Sequence, residues 1–419
     1  MFVALYILVG VYLFYRDREL LIDLRKFILL QALALVTIIA CRICIRDQWQ
    51  VEMLPLLMFG MTATLAYRQE VTLLLSAAVS LVCVMAFGLG VADFVIFAAT
   101  MAAIVLLLRD VRSRTKLIYI GLAAAVVAFL TSMGSGIVTG EAAGPPLLAS
   151  SAWSAFLAVL AGMFITALLP WIEKLFEFQT EISLLELGDV SHALLQELVR
   201  RAPGTYNHSI NVASIAEAAA ESIGANGLLL RVGAYFHDIG KMLKPQYFVE
   251  NQGTESNRHE DLLPAMSTLI IIAHVKDGAD LARQHHLPQP LIDLIQQHHG
   301  TTLVEYFYNR ANQQVEDDPD ASEVDEGSYR YPGPKPQTRE AAVLMLADAV
   351  ESASRSLTEP APARIESLVH DIAMKKLMDG QFDECGLTLQ ELNQVEDSLV
   401  KSLTAVYHGR VKYPDQQTA

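Results

Sequence analysis

Cysteine is scarce in this chain: four in 419 residues, Cys41, Cys44, Cys83 and Cys385, three of them inside apolar runs. No disulfide framework is available, which suits a reducing compartment for the polar half. Cys41-Arg42-Ile43-Cys44 has formal CxxC spacing, but without a second pair or a neighbouring strand it reads as small residues in a helix. Strand-like alternation of apolar and polar residues is also lacking, which leaves an all-α fold class. Basic residues are in the minority, 31 Lys and Arg against 46 Asp and Glu, a net charge of −15 at pH 7. An acidic chain without a basic stripe repels long nucleic acids, so no nucleic acid polymer is expected as a partner.

Apolar residues, by contrast, are abundant at 53%, with a mean hydropathy of +0.33, and they are unevenly spread. Residues 1–170 hold 11 basic and 9 acidic side chains, leaving 20 and 37 for the rest, a net of −17. Seven apolar blocks fill the first part: 1–15, 27–45, 51–67, 71–88, 91–108, 117–138 and 149–171. A membrane span needs about 20 apolar residues, so the second, sixth and seventh are comfortable and the others short. The first block has neither a preceding basic region nor a small-residue cleavage site, so it is not read as a secretory signal. Basic residues gather after blocks one, three, five and seven (Arg16, Arg18, Arg25, Lys26, Arg68, Arg109, Arg112, Arg114, Lys116, Lys174), whereas the alternate loops hold only Arg42 and Arg46. That bias puts the acidic half in the cytoplasm and the N-terminus outside. Asp93, beside Gly88-Leu89-Gly90, reads as interfacial, and Trp153 and Trp171 as anchors at the ends of block seven. The run Ile172 to Phe178 is too polar for lipid; it either carries membrane movement onward or is a passive tether.

These features predict a seven-helix transmembrane domain over residues 1–171, a connecting helix over 172–190, a cytoplasmic all-α domain over 191–410 and a tail over 411–419. Helical spacing recurs at Val212–Ile223, Gly227–Phe236, Met266–Leu281, Leu291–Gln297, Ala341–Ser354, Ile365–Met378 and Leu387–Tyr407. Loops are expected at Asn251–Asp261 and Asn312–Thr338. The second is long. Its acidic first half, from Val315 through Glu326, reads as disordered. Its Pro-rich second half, Tyr329 to Pro336, either closes over an anionic ligand through Arg330 and Tyr331 or is a plain loop.

The chemistry centres on His237-Asp238-Ile239-Gly240-Lys241, which ends an apolar helical run. Burying two ionisable groups side by side costs several kcal/mol per charge unless a metal or a partner takes them up. Further donors follow in the same half: His208, His274, His298-His299 and Asp348. Five histidines and two aspartates exceed one tetrahedral ion and suit two octahedral ions sharing a bridging carboxylate. Mixed imidazole and carboxylate donors favour two divalent ions of iron or manganese over magnesium. Two such ions about 3.5–4 Å apart clamp the attacking and leaving oxygens of a phosphodiester, so phosphate-ester hydrolysis is the natural reaction, with Lys241 as a cation beside the phosphate. Taken singly, each histidine is more often a core or surface residue. His285-His286, before Leu287-Pro288 in a turn, is given no role.

The strings APGTYNHS, HDIGK, YFVENQ, QHHGTTLVEYFY, YRYPGPKPQT and LADAVE, after an apolar region ending LLPWIEKLFEF, resemble the seven-transmembrane receptor HD family. That family holds the membrane-bound cyclic-di-AMP phosphodiesterases of the HD phosphohydrolase superfamily. The resemblance implies hydrolysis of cyclic di-AMP to pApA, lowering a second messenger, by a multi-pass protein of the inner, cytoplasmic membrane whose HD domain faces the cytoplasm. It implies one ion on His208, His237, Asp238 and Asp348, the other on Asp238, His274, His298 and His299, with Asp238 bridging. It also implies an extracytoplasmic sensor ahead of the seven helices. This chain starts inside the first of them, so either the sensor is absent or the chain is an incomplete reading of a longer gene. A homodimer is compatible with this reading. Two alternatives stand beside it. One is a phosphodiesterase for cyclic di-GMP or another nucleotide, although Gly300-Thr301-Thr302-Leu303 lacks the Gly-Tyr-Pro string of the cyclic di-GMP branch. The other is a receptor that binds a nucleotide without cutting it.

Overall fold

The structure, a computed structural model, describes residues 2–45, 51–108, 111, 113–252, 257–316, 323–357 and 360–408. Packing divides the chain into two units, Met1–Ser183 and Leu184–Ala419. Among the described residues there is no strand, only an isolated antiparallel bridge between Leu303 and Arg330.

In the first unit the apolar blocks become α1 (Phe2–Arg16), α3 (Leu24–Cys44), α4 (Met53–Ala66), α5 (Gln69–Phe87), α6 (Val91–Leu107), α7 (Arg114–Val138) and α8 (Pro145–Phe176), with a short α2 (Arg18–Ile22) after the first. By length and composition α3, α5, α7 and α8 are long enough to cross a membrane, while α1, α4 and α6 are shorter. The fourth block, expected to be short, gains Gln69 and Glu70 at the start of α5 and joins the long ones. The 14-residue α4 would reach only about 21 Å, yet Leu56, Leu57, Phe59, Met61 and Ala63 are buried on it. It packs among α3, α5, α6 and α8, so its sides meet protein. On α7, Leu122, Val126 and Leu130 are exposed while Gly121, Ala124, Ala125 and Ala128 are buried. A helix apolar on both faces, with its small residues inward, is built for lipid on one side and close packing on the other. Gly121 meets Gly162 of α8 there: a Cβ on Gly162 would lie 3.0 Å from the Gly121 Cα. Hydroxyls of Thr100, Thr131 and Thr166 donate back to carbonyls one turn earlier, which satisfies these three donors in an apolar surrounding. Asp93 accepts from the Gly90 N–H at 2.9 Å, a cap at a helix end.

Residues 172–190 are not one connecting helix. They comprise the last turn of α8, a break at Glu177 in the left-handed region, α9 (Glu181–Leu187) and a turn. The Glu173 carboxylate accepts from the Thr180 N–H at 3.1 Å and from the Thr180 hydroxyl, which fixes the break as a capped corner.

The second unit continues with α10 (Ala193–Arg201), α11 (Pro203–Ser222), α12 (Gly227–Phe236), α13 (Pro264–Gln284), α14 (Gln289–Gln297), α15 (Glu305–Glu316), α16 (Arg339–Ser354), α17 (Pro362–Met378) and α18 (Leu389–His408). Pro203, Pro264 and Pro362 open their helices, where a missing N–H costs nothing. Asn226 and Thr338 cap α12 and α16 through their side chains. Every residue from Ala341 to Asp348 is buried, so α16 is the axle of the unit, with α11, α12, α14, α17 and α18 packed around it.

Two helices stand outside the periodic runs, α10 and α15. The expected loop at Asn312–Thr338 starts later, because Val315 and Glu316 finish α15; residues 317–322 lie outside the described ones, as do 253–256 of the first loop and the tail 411–419.

Candidate metal centre

Five elements deliver the predicted side chains to one place: α11 carries His208, the end of α12 His237 and Asp238, α13 His274, the end of α14 His298 and His299, and α16 Asp348. Two glycines set the approach. A Cβ on Gly240 would lie 2.0 Å from the His274 carbonyl oxygen and 2.6 Å from the Gly278 nitrogen, so only glycine lets the turn after Asp238 rest against α13. A Cβ on Gly204 would lie 1.8 Å from the Glu250 carbonyl oxygen. There Asn251 Oδ1 accepts from the N–H groups of Gly204 (2.9 Å) and Thr205 (3.2 Å), capping α11 from a distant segment and seating the turn that holds His208.

The imidazoles are oriented before any ion arrives. Nδ1 of His237, His274 and His298 each faces the carbonyl three residues earlier, at 2.7, 2.6 and 2.7 Å. That contact places a proton on Nδ1 and aims Nε2 at the centre. His208 differs: its Nδ1 faces the Glu351 carboxylate at 2.5 Å.

Asp238 is 1% exposed. Its Oδ1 lies 3.3 Å from His274 Nε2 and 3.7 Å from His298 Nε2. Its Oδ2 lies 3.3 Å from His237 Nε2 and 3.6 Å from His208 Nε2. Asp348 Oδ1 approaches His208 Nε2 at 2.9 Å and Oδ2 lies 3.7 Å from His299 Nδ1. The donors fall into two groups sharing Asp238, one with His274, His298 and His299, the other with His208, His237 and Asp348, all ligand atoms within 4.8 Å of one another in each. Both Asp238 oxygens and His237 Nε2 are buried without a hydrogen bond, although Lys241 Nζ lies at ion-pair distance, 2.6 Å from Oδ2. Buried groups of this kind need a partner, and a pair of divalent ions fits a set made only of imidazole and carboxylate donors.

The electrostatics suit cations. Burial opposes ionisation of Asp238, but Lys241, His237 and His274 outweigh it and hold the carboxyl well below its usual range. Burial, reinforced by His237, holds His298 down at about 3, and burial with His298 lowers His299 as well. These rings stay neutral and ready to donate a lone pair. His237 goes the other way: burial would lower it, but Asp238 and Asp348 raise it to about 10.

Tyr331 is brought in, its ring centroid 4.4 Å from that of His299. Lys241 is engaged twice over, by Asp238 and by Glu250 at 3.1 Å, and lies over the Phe248 ring. Arg330 stands apart from the cluster: its guanidinium pairs with Asp379 at 3.0 Å and Glu326 at 2.8 Å. His285 and His286 close α13 outside it. Sequence reasoning missed Glu351 and Glu250. Glu351 was legible as a carboxylate three residues after Asp348, hence on the same helical face; Glu250 had no periodic signal.

Residues 1–180 match the family described as 7TM receptor with intracellular HD hydrolase, and residues 205–353 match the HD domain. The cyclic-di-AMP phosphodiesterase PgpH of Listeria monocytogenes serotype 1/2a (strain 10403S) is 48% identical over 258 residues, 61% of this chain and 35% of that protein. The protein of the same name in Bacillus subtilis (strain 168) is 46% identical over 255 residues, again 61% and 35%. An uncharacterised protein of Synechocystis sp. (strain ATCC 27184 / PCC 6803 / Kazusa) is 37% identical over 292 residues, 70% of this chain and 34% of its own. The chain thus spans about a third of the length of the curated relatives it matches. Crystal structures of the L. monocytogenes PgpH HD domain, one of them in complex with cyclic-di-AMP, are 49% identical and cover 52% of this chain and 100% of theirs, with a TM-score of 0.49.

Proposed function

The chain belongs to the membrane-bound 7TM receptors with an intracellular HD hydrolase, and from that premise we propose that its second unit is a two-metal phosphodiesterase that hydrolyses cyclic di-AMP to linear pApA. The observation that carries this reading is the fully buried Asp238 carboxylate, with one oxygen facing His274 and His298 and the other facing His208 and His237. The substrate is supported by the names of two relatives 48% and 46% identical to this chain.

On this proposal His208, His237, Asp238 and Asp348 hold one ion and Asp238, His274, His298 and His299 the other. The ions, iron or manganese, would supply a nucleophile from water at neutral pH and neutralise the phosphodiester. Attack on phosphorus breaks one P–O3′ bond, and the 3′ oxygen leaves with a proton. The chain's own part is to fix the donors through the carbonyl and carboxylate contacts on Nδ1 and to keep Asp238 ionised beside Lys241. Tyr331, over His299, would bound the substrate's side of the site. Lys241 is placed to exchange part of its contact with Asp238 for the phosphate. The excess of Lys and Arg in alternate membrane loops supports a cytoplasmic HD domain.

The test is elemental analysis of the purified chain together with identification of the product from cyclic di-AMP. Two equivalents of iron or manganese and release of pApA are expected. Protein that holds no metal and leaves the dinucleotide intact refutes the reading, and preferential cleavage of cyclic di-GMP would reassign the substrate.

A further inference from the structure

A cavity of about 570 Å³ reaches α16 at Ala349, the residue after Asp348, and is walled also by Thr302, Arg330, Lys375, Lys376 and Asp379. Its size is that of a small-ligand site. Three of its wall residues are cations, and two are already committed: Arg330 to Asp379 and Glu326, Lys375 to Glu305. The Lys376 ammonium makes no ion pair or hydrogen bond among the described residues, and burial holds it below the ordinary lysine range. An unpaired, partly desolvated cation in a cavity wall is an anion site in waiting.

The cavity is joined to the centre by one face of α16. Asp348, Ala349, Ser352, Arg355 and Ser356 are spaced to share a helical face. Ala349 lines the cavity with Lys376, whereas Ser352, Arg355 and Ser356 line a second cavity with His208 and Lys241. The two cavities therefore meet one stripe of α16 on the turns that follow Asp348, with Ala349 and Ser356 about 10 Å apart along the axis. Small side chains at Ala349 and Ser352 leave room for a flat ligand over the stripe.

Resting on the phosphodiesterase reading above, we infer that the cavity around Lys376 receives the second, uncleaved phosphate of a cyclic dinucleotide while the first sits at the metal centre. Lys376 is then a specificity-determining contact that a single phosphodiester cannot use. It orients the ring so that one of its two equivalent bonds is presented for attack.

The full-length chain in detergent micelles is assayed with cyclic di-AMP and with bis(4-nitrophenyl) phosphate, which has one phosphate. In Lys376→Met the ratio of kcat/KM for the dinucleotide to that for the aryl diester should fall about tenfold or more, chiefly through KM, with wild-type metal content. Lys376→Arg should restore most of the ratio. An unchanged ratio overturns the inference, as does a fall in Lys376→Met accompanied by metal loss. Wild-type protein that cleaves the aryl diester but not cyclic di-AMP would refute the substrate reading instead. The subsite is then decided by competition: a cyclic dinucleotide that inhibits wild type must inhibit Lys376→Met about tenfold less, and if none inhibits, the subsite falls too.

Discussion

Substituting Glu351→Gln should weaken one metal position and spare the other. Of the imidazoles whose Nε2 faces Asp238, those of His237, His274 and His298 are turned by carbonyls of their own segments, whereas His208 depends on the Glu351 carboxylate. Burial would lower the basicity of His208, and Asp348 together with Glu351 raises it. Glutamine keeps the shape but removes the charge, and it cannot satisfy both neighbours. If its oxygen faces His208, its amide must face Asn211 Nδ2 (3.1 Å) and the Arg355 guanidinium (2.7 Å), which are donors. If it is flipped, it offers His208 an N–H. Loss of an outer carboxylate partner of this kind costs about 10–100-fold in metal affinity or activity. The half-exposed Arg355 pair adds no more than about 1 kcal/mol to stability after solvent screening, so unfolding is not the readout. Titration of metal-stripped protein with Mn²⁺ by calorimetry should show one of two sites weakened by that factor and kcat/KM reduced in parallel. Equal weakening of both sites, or of neither, would refute the assignment of Glu351 to one half of the centre.

Three further outcomes follow from the same geometry. Asp238→Ala removes the only carboxylate common to both donor groups, so metal content should fall from two equivalents to near none with activity lost; one retained ion at full occupancy would sink the bridging role. Gly240→Ala places a Cβ 2.0 Å from the His274 carbonyl oxygen, and overpacking of this kind costs about 1–3 kcal/mol, to be read from chemical unfolding together with weaker metal binding; unchanged stability would show that α13 yields freely. In the metal-free protein His237 sits at about 10, above its unfolded value, so its contribution to stability is fully present below about 6.5 and is lost as pH rises through about 10. Metal uptake must expel that proton, so affinity should rise about tenfold per pH unit between those limits, and uptake without proton release in a weakly buffered indicator assay contradicts it.

The parts of this protein legible in its sequence are those where one residue type has one use. His237-Asp238 at the end of an apolar helix cannot be satisfied by packing, and Gly240 sits two residues on because α13 must come close. The seven apolar blocks each give a helix because only a helix satisfies the backbone of a single apolar segment from within in lipid. The break in the expected connecting helix was not legible, since Glu173 caps Thr180 across a corner that periodicity does not register. Nor was α15: Glu305–Glu316 buries only Phe307 and Ala311, too few apolar positions to show a stripe. The pairing of Arg330 was not legible either, because its partner Asp379 lies 49 residues away, and pairings that distant leave no local trace.

The charge balance poses a problem that the site itself resolves. Residues after Pro170 carry a net of −17, which repels an anionic ligand at long range, and at physiological salt that field is screened beyond about 8 Å. On the proposed function recognition is therefore left to the interior, where two divalent ions, Lys241 and Lys376 would face walls whose carboxylates already have histidine, arginine or lysine partners. Inside that radius the local sign is positive although the surface is negative. A small cyclic dinucleotide can leave the outer field behind once both phosphates are enclosed. A long polyanion cannot, because every phosphate outside the cavity remains against acidic surface, so on the proposed function the charge that discourages encounter would also disfavour nucleic acid polymers.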